Sequence, residues 1–85
     1  MRLGFSTRFK KEYKKLPSGI QAQTDNRLRI FTANPFHPIL RNHMLGGEFE
    51  GCRSINITGD FRAVFYAKND VAIFTRVGTH TQLYK

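Results

Sequence analysis

Within 85 residues the sequence sets out His43, Asp60, Arg62 and His80, and a tyrosine, Tyr84, follows the last of these by four positions. Imidazole exchanges a proton near neutral pH, a carboxylate accepts one, and guanidinium presents a planar fork of donors that suits a phosphate. That set matches the needs of a phosphodiester attacked by its own 2′-hydroxyl. A base takes the hydroxyl proton, cationic donors hold the pentacoordinate phosphorane, and an acid protonates the leaving 5′ oxygen. The nucleophile comes with the RNA.

In that chemistry His80 is the candidate general acid, and Asp60 and His43 are candidates for the base or for the group that orients it. Arg62 is the candidate phosphate donor. Tyr84 and Phe61 offer aromatic faces on which an unpaired base can stack, an interaction worth roughly 1–3 kcal/mol per base. Each residue also has a plainer reading. His80 can cap a strand end, Asp60 after Gly59 is ordinary turn chemistry, His43 can be a surface loop residue, and Phe61 can pack in the core. His37, between Phe36 and Pro38, reads as structural or exposed, and Cys52 as a small buried or edge residue.

Composition narrows the setting. Fourteen Lys and Arg against six Asp and Glu give a formal charge of +8, which favours nucleic acid, an acidic protein or an anionic surface as partner. A chain of this length predicts one domain over 1–85, burying roughly 60% of the surface of its unfolded state. One cysteine excludes an internal disulfide framework, and three scattered histidines show no zinc spacing, so neither metal nor cofactor is expected. No apolar run approaches the roughly 18 residues of a spanning helix. The expectation is a soluble, cytoplasmic protein without membrane contact.

The elements that must position these groups follow from periodicity. Leu3 and Phe5 alternate with polar neighbours as a short strand, after which Ser6 or Thr7 caps a helix through residue 16 with Phe9, Tyr13 and Leu16 as its apolar stripe. Lys10, Lys11, Lys14 and Lys15 occupy most of its remaining circumference, either as a solvated face or as a phosphate-contacting one. Pro17 separates this helix from a second, built on Ile20, Leu28 and Phe31 and running to Asn34-Pro35. Residues 34 to 47, with Pro35, Pro38 and Gly46-Gly47, predict an irregular connection over the sheet anchored by Ile39 and Leu45.

From residue 48 the pattern changes to period two. Strands are predicted over 53–57, 61–67 and 71–77, joined by Thr58-Gly59-Asp60 and Asn69-Asp70. A three-residue connection at 58–60 sets Ile57 against Phe61 and Ile55 against Ala63, which keeps the apolar side chains on one face and leaves Asn56 beside Arg62 on the other. The polar face with Asn56, Arg62 and Tyr66 is the predicted working surface. The expected architecture is α+β, in the order β-α-α-β-β-β, with two N-terminal helices packed on a small antiparallel sheet.

Four motifs carry a family resemblance: Phe9-Lys10-Lys11 with Tyr13-Lys14-Lys15-Leu16; Asn34-Pro35 followed by His43-Met44-Leu45-Gly46-Gly47; Gly59-Asp60-Phe61-Arg62; and Gly78-Thr79-His80 with Leu83-Tyr84. In order and spacing they resemble the RelE/ParE superfamily of bacterial toxins, most closely its YafQ-like mRNA interferases. The resemblance implies a toxin of a type II toxin-antitoxin pair that cleaves mRNA on the ribosome without a metal. It further implies roles for His43, Asp60, Arg62, His80 and Tyr84 at the matching positions. Two residues depart from the pattern: Asn56 stands where YafQ-like enzymes tend to have another histidine, and Phe61 where they tend to have tryptophan.

On this reading the substrate-binding set is Tyr84, Asn56, Phe61, Lys10, Lys11 and Lys14, the partners are mRNA, the ribosome with its rRNA, and a cognate acidic antitoxin, and no membrane takes part. Two other classes fit the same fold: a ParE-like toxin that poisons DNA gyrase, and a non-catalytic RNA- or partner-binding relative in which Asn56 marks lost activity.

Overall fold

A computed structural model describes residues 1–84. Five strands and three helices follow in the order β1 (Arg2–Phe5), α1 (Thr7–Lys14), α2 (Ser18–Ala33), β2 (His43–Met44), β3 (Arg53–Asn56), β4 (Phe61–Lys68), β5 (Val71–Thr79) and α3 (His80–Leu83), with short 3-10 turns at Pro38–Leu40 and Gly47–Phe49. The strands form one sheet in the order β1-β5-β4-β3-β2.

The predicted meander is present with its predicted register. Ile55 faces Ala63 and Asn56 faces Arg62 across β3 and β4, and the Ile57 amide bonds the Phe61 carbonyl at 2.9 Å. The sheet as a whole departs from the antiparallel expectation, because β1 runs parallel to β5, with Arg2 opposite Val71 and Phe5 opposite Phe74. A parallel pair needs a long crossover. Here the crossover contains both helices and the three other strands, so no local signal announces it.

Ser6 caps α1, its hydroxyl accepting the Phe9 amide at 3.0 Å. The two helices cover one face of the sheet, where Phe9, Leu28 and Phe31 meet Ile55, Phe65, Ala72, Phe74 and Val77. Phe31 lies edge-on to Phe65 and Phe74, with centroids 5.0 and 5.3 Å away. Tyr13 ties α1 to α2 by donating its hydroxyl to Asp25 at 2.8 Å. That bond holds the phenol above its ordinary pKa, with burial and the carboxylate's charge adding to it.

Where β1 stops, α1 continues along the same edge of β5. Glu12 satisfies that edge: its carboxylate accepts the Val77 amide at 3.1 Å and both its oxygens bond the Arg76 Nε. The Arg76 and Glu12 side chains are only 15% and 23% exposed, so the pair is less screened by solvent than a surface ion pair. Glu12→Ala leaves a partly buried guanidinium and a strand amide without their acceptor. A loss of about 1–3 kcal/mol is expected in urea unfolding; an unchanged midpoint would show that this edge is satisfied in another way.

The connection from 34 to 47 lies over the sheet as predicted, but its anchor is Leu40, fully buried, while Ile39 is 43% exposed. His37 accepts the Ile39 amide at its Nδ1 and so caps the 3-10 turn, which throws Leu40 inward. Arg53 bonds Asn42 Oδ1 at 2.7 Å, and Asn42 in turn donates to the Pro35 carbonyl at 2.9 Å. Leu45, the other predicted anchor, is half-buried. Its amide bonds the Cys52 carbonyl, which extends the β2 pairing. This segment was expected to be wholly irregular; in fact it contributes the edge strand that carries His43.

Candidate active site

The face of β3 and β4 away from the helices shows Asn56 and Arg62 side by side. Opposite Arg62 on β5 stands Gly78. With no side chain there, the chain turns back after Thr79 and lays α3 over the strand. A Cβ at 78 would fall 2.8 Å from Gln82 Oε1 and 3.6 Å from the Leu83 side chain. Gln82 Oε1 is not free to move aside, because it accepts the Thr79 amide at 2.8 Å while the Thr79 hydroxyl accepts the Gln82 amide. This reciprocal capping box starts α3 at His80.

Gly78→Ala therefore breaks the cap that orients His80. The expected result is a loss of about 1 kcal/mol in thermal unfolding, with a shift of the His80 ring resonances in NMR as the imidazole moves. Lowered stability with unmoved His80 resonances would mean that α3 does not position His80.

His80 is exposed, and its ring meets Tyr84 one helical turn on, with centroids 4.8 Å apart and planes at 62°. Tyr84 packs edge-on to Phe49 at 5.5 Å, and its hydroxyl is buried without a partner among the described residues. The half-buried tyrosine thus backs the imidazole and forms part of the cleft wall. The His80 amide donates to the Asp60 carbonyl at 3.0 Å, which joins α3 to the turn between β3 and β4.

That same turn is gripped by Arg62. Its Nη1 lies 3.0–3.2 Å from the carbonyls of Thr58, Gly59 and Phe61, and Nε and Nη2 make no hydrogen bond among the described residues. On β2 the exposed His43 directs Nδ1 to the Arg41 carbonyl at 2.8 Å. A carbonyl only accepts, so the proton of the neutral ring sits on Nδ1 and Nε2 keeps its lone pair. Arg41 has φ 47° and ψ 47°, a left-handed conformation that reverses the chain between the buried Leu40 and the edge strand.

These groups surround one cleft of about 470 Å³, lined by Arg41, His43, Leu45, Asn56, Arg62, His80 and Tyr84. Three stretches of the sequence, 41–45, 56–62 and 80–84, meet there. Two imidazoles and two guanidiniums face a common space without a carboxylate in its lining, an arrangement suited to a phosphodiester and to general acid–base work on it.

Other predicted site residues lie elsewhere. Asp60 is exposed on the turn and contributes its backbone carbonyl to His80, but its side chain does not line the cleft. Phe61 packs against the core beside Leu16 and Val77 rather than facing the cleft, since register alternation turns it away from Arg62. Lys10 and Lys14 rim an apolar groove between α1 and α2, and Lys11 is exposed on α1; none of the three reaches the cleft. Tyr66, in the predicted polar face, is 39% exposed and outside the lining.

Sequence reasoning missed Arg41 and Phe49. Nothing in the local pattern marks either one. The capping box, by contrast, was written in Thr79-His80-Thr81-Gln82.

Similar folds are found among solved toxins. YafQ from E. coli strain BL21(DE3) aligns over 100% of both chains with a TM-score of 0.84 at 19% identity. A YoeB/ParE toxin from Agrobacterium tumefaciens aligns over 94% of this chain and 99% of its own, with a TM-score of 0.78 at 18% identity. The E. coli DinJ-YafQ complex gives 0.73 at 21% identity, over 100% of both chains. At these identities the likeness is one of fold. No curated protein matches the sequence. The family description that does match, over residues 1–85, is that of the bacterial toxin of type II toxin-antitoxin systems, YafQ. By that full-length match, the chain belongs to the YafQ family of bacterial toxins.

Proposed function

We propose that the toxin acts as a metal-independent endoribonuclease, cutting mRNA held on the ribosome. The observation that carries this reading is the convergence of His43, His80 and Arg62 on one carboxylate-free cleft. His43 Nε2 takes the proton from the 2′-hydroxyl, whose oxygen then attacks phosphorus. Arg62 and Arg41 stabilise the negative charge of the phosphorane, and Asn56 offers its amide to a non-bridging oxygen. As the P–O5′ bond breaks, His80 gives a proton to the leaving oxygen. The products are a 2′,3′-cyclic phosphate and a 5′-hydroxyl. Asp60, outside the lining, orients His80 through its backbone.

The mapped 3′ end of mRNA cut on programmed ribosomes tests the reaction class. A 2′,3′-cyclic phosphate is expected; a 3′-hydroxyl would require water or another nucleophile and overturn the scheme.

A +8 toxin also calls for a partner that silences it. YafQ of E. coli has been solved in complex with DinJ. For this chain we propose a cognate acidic antitoxin that neutralises the basic surface and covers the cleft. The setting we propose is the cytoplasm, where mRNA and ribosomes are; among the described residues no helix is long and apolar enough to cross a membrane.

A further inference from the structure

Beside the cleft described above lies a second one of about 420 Å³, and the two share a wall made of Arg41, Asn56 and Arg62. On its far side stands Arg27, from the middle of α2, with the turn residues Thr58 and Gly59 between. Three guanidiniums from three separate parts of the chain therefore border one polar space whose lining holds no carboxylate. None of them has an acidic partner: among the described residues the ion pairs are those of Glu12 with Arg8 and Arg76. Arg27 gives one nitrogen to Asn26 Oδ1 at 2.7 Å, and its other donors make no hydrogen bond among the described residues.

Like charges gathered without a counter-charge raise the local positive potential and select an anion. Guanidinium forks in such an array suit phosphate oxygens in particular. An acidic peptide would also feel the charge, but the shared wall favours a ligand that passes from one cleft into the other. A nucleic-acid strand does this, because it carries one phosphate per nucleotide.

We propose that the second cleft is a phosphate subsite, in which Arg27 and Arg41 hold the linkage next to the one that is cut. It rests on the ribonuclease reading, and it gives that reading a track for the strand: Arg41 and Arg62 border both clefts, Arg27 only the second, and His80 and His43 only the first.

The test uses the full chain and 2′-O-methyl dinucleotides, whose blocked nucleophile prevents cleavage. Binding is followed by NMR titration for the dinucleotide alone and with an added phosphate at its 5′ or its 3′ end. One of the two added phosphates is expected to tighten binding about tenfold. Arg27→Gln should abolish that gain, leave the unphosphorylated dinucleotide within about twofold, and lower the slope of log K against log salt by about 0.7, the value for one single-strand phosphate. Arg41→Gln should remove the same gain.

Four outcomes overturn the subsite: no gain from either phosphate, no binding of any dinucleotide, equal weakening of all three ligands by Arg27→Gln, or a response of Arg27 and Arg41 resonances to an acidic peptide alone. Cleavage on programmed ribosomes, measured in parallel, keeps the two ideas apart. Cyclic-phosphate ends with no phosphate gain sink the subsite only; a phosphate gain with no cleavage sinks the ribonuclease reading.

Discussion

His80→Ala is expected to slow mRNA cleavage on programmed ribosomes by about 10²- to 10⁴-fold, the usual contribution of one positioned acid, and to end growth arrest in cells that express it. The ring is exposed and touches Tyr84 alone among the described aromatics, so its removal leaves the core intact and the unfolding midpoint nearly unchanged. Loss of acid catalysis can be told from loss of shape by changing the leaving group. An RNA in which sulfur replaces the bridging 5′ oxygen departs without protonation, and on that substrate the variant should recover most of the wild-type rate. Arrest by both proteins with intact mRNA, or equal loss on both substrates, would remove His80 from the role of acid.

The second large effect falls on Arg62. Arg62→Lys keeps the charge but loses the fork, and removal of one such donor from a developing oxyanion typically costs 10²- to 10³-fold in turnover. More is lost here than a donor. Nη1 holds the carbonyls of the 58–61 turn, and the Asp60 carbonyl of that turn holds the His80 amide. On the proposed mechanism the guanidinium thus sets the position of the acid as well as the charge at phosphorus. Single-turnover rates for Arg62→Lys, His80→Ala and the double variant expose that coupling. The double variant should be little slower than the worse single one, because the two act as a unit. Fully multiplicative losses would mean that the turn does not connect them.

Much of this was legible in residues 53–63, where apolar and polar residues alternate on either side of the turn. Ile55 against Ala63 and Ile57 against Phe61 set a register that keeps these apolar chains on one face, and that register puts Asn56 beside Arg62. The same reading erred where position depends on distant partners. Leu40 rather than Ile39 is the anchor, because the His37 cap and the left-handed Arg41 turn the chain by one residue. His43 lies on an edge strand because residues 53 and 54 pair with it, which two residues of sequence do not announce. The basic face of α1 reads equally as a solvated or a phosphate-contacting one, and α1 lies against the outer edge of β5, outside the lining of the cleft. Helical periodicity describes which side of α1 is polar, not what that side looks toward.

The parallel pairing of β1 with β5 has a bearing on the toxin's own synthesis. Residues 2–5 emerge first, and their ladder partners at 71–74 are among the last to be made. The inner edge of the first strand therefore waits, unpaired, through nearly all of translation, and loop closure over so long a separation is slow as well. The turn at 80–83 that carries His80 comes later still. On the proposed function, a nascent copy of the toxin accordingly carries no complete site until its message has been read almost to its end, and a fragment that stops short of residue 71 lacks both the partner of its first strand and His80.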